Sequence, residues 1–528
     1  MRLHALFLSG LVAAAVSAQT PNADDLVWQK AVHKFDATRA ALLHRVDAAG
    51  QNGPFRPDWD SLKQYQVPSW YQDAKFGIFL HWGVYSVPAF GNEWYPRNMY
   101  KQGTPEFAHH LATFGPQSKF GYKDFIPRFK AEKFDPKAWA DLFRKAGAKY
   151  VVPVGEHHDG FAMYNSDLSD WSAAKMGPHR DVVGELAQSV RAAGLHFGIS
   201  SHRAEHYFFL NVAREVDSDV RDPQFAAFYG PAHVGVTDKN NMHWGGHPDA
   251  AYLNDWLARA AEMVGKYQPE ILWFDWWIET PEFQPYLQRL AAFYYNDAAR
   301  RGSTAAINYK FDAFQAGTAV LDIERGQSDQ ILPRFWQTDT SVSVKSWGYI
   351  DNDTFRSPES LVQELVDIVS KNGALLLNVG PKSDGTIPEQ AQNVLLAMGR
   401  WLSINGEAIY GTRPWKISGE GPTKVVGGSF NDTATKPYTG RDIRFTTRGG
   451  LLYAIALGWP PDGKIKIQSL ARGSKALDSE IGAVQLLGYG GNLKWSRDAE
   501  GLKIELPAAR TGEFAWVFRI ARANRAAR

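Results

Sequence analysis

Ile271-Leu272-Trp273-Phe274-Asp275-Trp276-Trp277 runs four apolar residues into a carboxylate and then two indoles. A short, continuous apolar run of this kind reads as a strand buried on both faces, as in a parallel sheet. Asp275 interrupts the run at its C-terminal end. A carboxylate there is costly unless it is paired or put to use. In a closed parallel barrel, the C-terminal strand ends are where reacting groups collect. Asp275 is therefore read as a candidate reactive group, with a salt-bridged structural aspartate as the alternative.

Seven further segments share the pattern, at 76–82, 150–155, 196–201, 305–309, 319–323, 335–338 and 374–379. Helical stretches separate most of them, at 136–148, 180–193, 254–267, 283–301, 358–370 and 388–404. Gly194 follows one helix as a stop, and Pro358 and Pro388 sit where a first turn tolerates proline. Strands and helices alternating over this length predict an α/β fold, a TIM-like (β/α) barrel. An open doubly wound sheet is the competing architecture, but no Gly-rich phosphate loop follows the first strand. After about residue 411 the texture changes to short strand-like runs separated by Gly427-Gly428, Pro460-Pro461 and Gly490-Gly491-Asn492. That pattern predicts a C-terminal antiparallel β-sandwich domain. The expected division is a leader at 1–18, an N-terminal arm at 19–66 with one amphipathic helix near 26–46, the barrel at 67–411 and the sandwich at 412–528.

The leader is read from a basic Met1-Arg2 start, an apolar run from about Ala5 to Val16 and small residues at Ser17-Ala18. This is a signal-peptide pattern with cleavage after Ala18, predicting a secreted or periplasmic protein. The run is short for a membrane span, and no other stretch reaches about 18 uninterrupted apolar residues. A net charge of +2 gives no concentrated basic face, so neither nucleic acid nor a membrane is the expected partner. Without cysteine there is no disulfide, thiolate nucleophile or Cys-ligated metal site. Aromatic residues make up 13% of the chain, including 19 Trp, and sugar clefts use such faces, though cores do too.

The residues after each strand concentrate polar groups at one end of the predicted barrel. The first strand leads to His81-Trp82-Gly83 and then Asn92-Glu93-Trp94-Tyr95. The second leads to Glu156-His157-His158-Asp159, the third to Ser200-Ser201-His202-Arg203-Ala204-Glu205-His206, and the sixth to Asp322-Ile323-Glu324-Arg325. Acid side chains framed by tryptophans suit sugar chemistry. His157, His158 and Asp159 also raise a metal site, but adjacent residues on a strand point to opposite faces, which makes shared ligation awkward.

Taken together, these segments resemble the family 29 glycoside hydrolases, the α-L-fucosidases. The resemblance runs from Trp70 to Gly411 in seven matching stretches. They include Lys75-Phe76-Gly77-Ile78-Phe79-Leu80-His81-Trp82-Gly83, Glu93-Trp94-Tyr95, His157-His158-Asp159-Gly160-Phe161 and Arg180-Asp181-Val182-Val183. Ile271 to Asp275, Ser346-Trp347-Gly348-Tyr349 and Lys371-Asn372-Gly373 through Pro381 complete them. The resemblance implies a retaining two-step hydrolysis of a fucosylated glycan, with no metal and no cofactor. It places the nucleophile on Asp275 and sugar-binding residues on His81, Glu93, Trp94, His157 and His158. Trp347 or Trp94 is the expected wall beside the C5 methyl of the sugar. Two departures stand out. Glu156 occupies a position where many members have Lys, and Ser200-Ser201-His202 stands where many have a sugar-binding Tyr. His202, Glu205 or His206 is expected to take over that contact. For the acid/base, Glu324 is chosen over Glu279, Glu205 and Glu93, because it ends a strand beside Arg325. An α-L-galactoside substrate, a non-catalytic carbohydrate-binding relative and a metal-dependent hydrolase are the competing readings. Oligomeric state is left open between a monomer and a homo-oligomer.

Overall fold

Eight parallel strands close in chain order into a barrel. They are β1 (Phe76–Leu80), β2 (Tyr150–Glu156), β3 (His196–Ser201), β4 (Ile271–Phe274), β5 (Ala306–Tyr309), β6 (Val320–Glu324), β7 (Trp336–Ser341) and β8 (Gly373–Val379). This is a computed structural model, and it describes residues 23–234 and 246–523. The signal-peptide reading of 1–18 lies outside the described residues.

The barrel interior is filled by side chains, as a barrel of eight strands requires. Phe79, Tyr150, Val152, Trp273, Val320 and Leu376 form its apolar core, closed at the N-terminal end by Tyr71 from the helix Ser69–Ala74. Tyr71 and Tyr150 both donate to Gln337 Oε1, at 2.6 and 2.8 Å. Gly77 pairs with Tyr150 across β1 and β2, and a Cβ on Gly77 would collide with the Tyr150 ring. Only glycine leaves room for that ring. With its lower end packed, the barrel opens only at the C-terminal strand ends.

Several of the surrounding helices begin at side-chain caps, each typically worth ~1 kcal/mol. Asp181 accepts from Gly184 N at 3.0 Å and starts Val182–Ala192, while Asp249 accepts from Tyr252 N at 2.9 Å and starts Ala250–Tyr267. The second of these helices begins four residues earlier than the apolar pattern predicts, because the cap rather than the first apolar residue sets its start. The N-terminal arm also differs from expectation. Its single predicted helix is two, Ala23–Val32 and Asp36–Gln51, joined by a 3-10 turn at His33–Phe35. The break lets Trp28 meet Tyr252 at 5.5 Å while the second helix packs along Ala250–Tyr267 and Gln284–Arg300. Glu156 belongs to a buried ion network behind the barrel mouth. It pairs with Arg203 and Arg259, which also hold Asp255.

Eight antiparallel strands come next, β9 (Arg413–Glu420), β10 (Ile443–Arg448), β11 (Leu451–Ala456), β12 (Lys464–Ile467), β13 (Ile481–Leu486), β14 (Lys494–Asp498), β15 (Gly501–Glu505) and β16 (Trp516–Arg522). They form a five-stranded sheet, β13-β16-β11-β10-β9, and a three-stranded sheet, β12-β15-β14. Phe445, Leu452 and Phe518 of the first face Ile465, Leu502 and Ile504 of the second in one core. Trp401 Nε1 donates to Ala515 O at 2.8 Å and Thr446 Oγ1 to Ala408 O at 2.7 Å, tying sandwich to barrel. Among the described residues, no helix is long and apolar enough to cross a membrane.

Candidate active site

At the C-terminal mouth of the barrel lies a cavity of about 520 Å³. His81, Glu93, Trp94, His157, His158, His202, Asp275, Glu324 and Trp347 all line it. The residues read from the sequence as nucleophile, acid/base and sugar contacts thus share one cavity, while Asp159 and Glu279, also considered, are not among its lining. Glu205 and His206 stand behind the wall, buried against His158.

Asp275 follows the last residue of β4. Its Oδ1 accepts from Trp276 N at 2.8 Å, and its Oδ2 accepts from His202 Nδ1 at 2.9 Å. His158 Nε2 lies 3.5 Å from the same Oδ2. Burial opposes ionisation of this carboxyl. The His202 hydrogen bond and the charge of Lys310 outweigh it and hold Asp275 well below the usual carboxylate range. Ser200 Oγ meets His202 Nε2 at 3.0 Å, so both ring nitrogens of His202 are engaged.

Glu324 is the last residue of β6, with Oε2 3.0 Å from Lys310 Nζ. Burial raises its pKa; the Lys310 ammonium opposes this and the Asp275 charge adds to it, leaving a net upward shift. Lys310 also lies 3.0 Å from Asp339 and 3.6 Å from Asp322. One ammonium therefore faces three carboxyl groups. Burial and the neighbouring Asp322 push Asp339 strongly toward its protonated form. Asp275 and Glu324 thus share a cavity whose surroundings drive their pKa values apart, Asp275 downward and Glu324 upward.

The imidazoles present neutral hydrogen-bonding edges. His81 Nδ1 is 2.8 Å from Asn378 Oδ1 and must donate to that oxygen, so Nε2 is left as an acceptor. Burial holds His81 and His157 well below the ordinary histidine range and His158 down to about 3. Contrary to the alternation argument, both His157 and His158 face the cavity. β2 ends at Glu156, so the pair lies beyond the strand, with ring centroids 4.2 Å apart. Glu93 Oε2 accepts from Trp347 N at 2.8 Å and Ser346 Oγ at 3.1 Å, fixing the Trp347 backbone. The Arg325 guanidinium stacks on the Trp347 ring at 4.7 Å. Arg325 pairs with Asp432 at 3.5 Å, and the partner of Glu324 is Lys310.

His81, His157 and His202, or His158, His202 and Asp275, bring ligand atoms within 4.8 Å of one another. A cation at either set would have to take His202 from Ser200 or from Asp275. The present donor set fits a hydrogen-bonded triad better than a ligand sphere.

Sequence reasoning missed Lys310, Asp339, Asn98, Phe311 and Phe430, which belong to the cavity or to its charge balance. Lys310 directly follows β5 and Asp339 lies within β7. Extending the strand-end rule to those two strands would have found both.

The family described as Alpha-L-fucosidase matches residues 42–407, and Alpha-L-fucosidase C-terminal domain matches 431–521. The chain is 33% identical to human Tissue alpha-L-fucosidase, over 88% of this chain and 91% of that one. It is 34% identical to human Plasma alpha-L-fucosidase, over 86% and 88%. Among solved structures, Thermotoga maritima alpha-fucosidase in complex with fucose is similar at TM-score 0.69 and 32% identity, covering 88% of this chain and 99% of that one.

Proposed function

The chain belongs to the alpha-L-fucosidase family of glycoside hydrolases, and from that premise we propose that it cleaves terminal α-L-fucosyl groups from glycans with retention. One observation carries this reading. Asp275, held as a carboxylate by His202, and Glu324, pushed toward its acid form, line the same cavity.

Asp275 attacks the anomeric carbon as Glu324 passes its proton to the leaving oxygen. The C1–O bond breaks and a fucosyl ester forms on Asp275 Oδ. Glu324, now a carboxylate, takes a proton from water, which attacks C1 and releases fucose with its original configuration. His81, His157 and His158 bind ring hydroxyls through neutral edges, and these bonds strengthen as positive charge develops at the ring. Trp94 and Trp347 flank the C5 methyl. That contact gives only modest discrimination, so the polar groups carry most of the selection against other hexoses. The catalytic unit is assigned to 67–411 and a supporting sandwich to 412–528, with export directed by 1–18.

In the decisive test, Asp275→Gly abolishes turnover of 4-nitrophenyl α-L-fucoside while the protein stays folded, and added azide restores it with a fucosyl azide product. Glu324→Ala slows fucosides with poor leaving groups far more than activated aryl ones. Wild-type turnover by Asp275→Gly removes the nucleophile assignment, and equal losses across leaving groups move the acid elsewhere.

A further inference from the structure

Phe430 and Phe311 stand at the mouth of the catalytic cavity, 64% and 44% exposed. Both hold positive φ, +60° and +56°. Bulky residues rarely adopt that conformation, and a phenyl ring left in water contributes little to folding. A strained, exposed aromatic at a site mouth is retained only where the surrounding structure fixes it.

That structure is present for Phe430. It belongs to the segment joining β9 to β10 in the sandwich domain, which is laced along the strand end that carries Glu324. Phe430 N donates to Glu324 O, Asp432 N to Arg325 O and Gly428 N to Gln327 O, each at 2.9 Å. The Asp432 carboxylate accepts from Thr340 Oγ1 at 2.7 Å and lies near Arg325 and Arg356. The Gly428 carbonyl occupies the space a side chain on residue 326 would need. Phe311 directly follows Lys310, the partner of Glu324. The Phe430 backbone is therefore bonded to the peptide of the proton donor, and Phe311 is joined directly to that donor's counter-ion.

We propose that Phe430 and Phe311 form the aglycone subsite, stacking on the apolar C–H face of the neutral pyranose that carries the fucosyl group. This rests on the assignment of Glu324 as the acid. The leaving oxygen must lie at Glu324, so the sugar attached to it extends toward the rings anchored there. Asn92, Asn98 and Trp276, which line the same cavity, are uncharged and suit a neutral hexose or N-acetylhexosamine. The sandwich domain thereby supplies a substrate contact to the barrel.

The test compares a fucosylated lactose trisaccharide with methyl α-L-fucoside. Both need the acid, but only the first offers a ring to stack. In Phe430→Ala, the ratio of kcat/KM for the trisaccharide to that for the methyl fucoside falls about tenfold, the loss expected for one apolar ring face. Phe430→Tyr restores the ratio, and Phe311→Ala lowers it independently. Alanine keeps the backbone bond to Glu324, so a displaced acid would instead depress both substrates alike and leave the ratio unchanged. An unchanged ratio in both alanine variants overturns the subsite. Failure of the wild type on 4-nitrophenyl α-L-fucoside overturns the fucosidase reading itself.

Discussion

Replacing Lys310 by methionine should move the alkaline limb of the pH–rate profile to higher pH. Lys310 Nζ lies 3.0 Å from Glu324 Oε2 and favours its carboxylate. At that distance and an effective dielectric near 20, the attraction is roughly 5.5 kcal/mol, equivalent to about 4 pKa units. Lys310 divides its charge with Asp339 and Asp322, and Asp339 holds its proton more tightly once the cation is gone. The net shift should therefore fall within the range of about 1–3 units typical of an opposite charge at close range. The sign is set by the role. As the proposed acid, Glu324 must be protonated to assist departure, so activity falls as pH rises through its pKa. Removing the cation raises that pKa and extends the active range upward. Asp275 also feels Lys310, so its pKa rises too and the acidic limb moves the same way.

The assay is kcat/KM for methyl α-L-fucoside across the pH range, since its poor leaving group keeps the acid essential. Thermal unfolding must accompany it, because losing one partner of a buried ion cluster costs about 3–5 kcal/mol. Both limbs should rise in a protein that stays folded. An alkaline limb that stays in place, or falls, would refute the electrostatic link between Lys310 and the acid.

Two further outcomes are expected. His202→Ala removes the donor at 2.9 Å from Asp275 Oδ2; a hydrogen bond to a charged group is worth about 1.5–3 kcal/mol, so kcat/KM should drop roughly 10- to 150-fold. The acidic limb should rise with it as Asp275 loses its support, and an unmoved limb would mean His202 does not stabilise the ionised nucleophile. Export with cleavage after Ala18 predicts a mature chain beginning at Gln19, read by N-terminal sequencing; a secreted chain still starting at Met1 would count against it.

The barrel was legible because several of its strands advertise themselves. Ile271–Phe274 and Gly373–Val379 are buried along their whole length, and their sequences say so. The site was legible for the same reason, since a strand end once located points directly to His81, His157, Asp275 or Glu324. β7 is different. Trp336-Gln337-Thr338-Asp339-Thr340-Ser341 is buried throughout yet mostly polar, because the barrel interior satisfies it with hydrogen bonds. Gln337 accepts from two tyrosines and donates to Asp322 at 2.5 Å. An apolarity criterion stops that strand at 338, short of its end at Ser341. Phe430 was beyond reach for another reason. Its place depends on a connection in the sandwich domain meeting β6 about a hundred positions away, and no local periodicity encodes that encounter.

The Ser200-Ser201-His202 run stands where the family resemblance leads one to expect a sugar-binding tyrosine, but the ring nitrogens of His202 are committed to Ser200 Oγ and Asp275 Oδ2 rather than left for that contact. A nucleophilic carboxylate needs its oxygens fixed without losing the lone pair aimed at the sugar. Trp276 N fixes Oδ1 and His202 Nδ1 fixes Oδ2. The imidazole is held at its far nitrogen by Ser200 Oγ and lies against Trp273, centroids 5.1 Å apart. Ser200 thus takes part as the orienting group for His202. The orientation of the Asp275 carboxylate just past β4 is consequently set by the end of β3, through a donor whose other side is itself hydrogen-bonded.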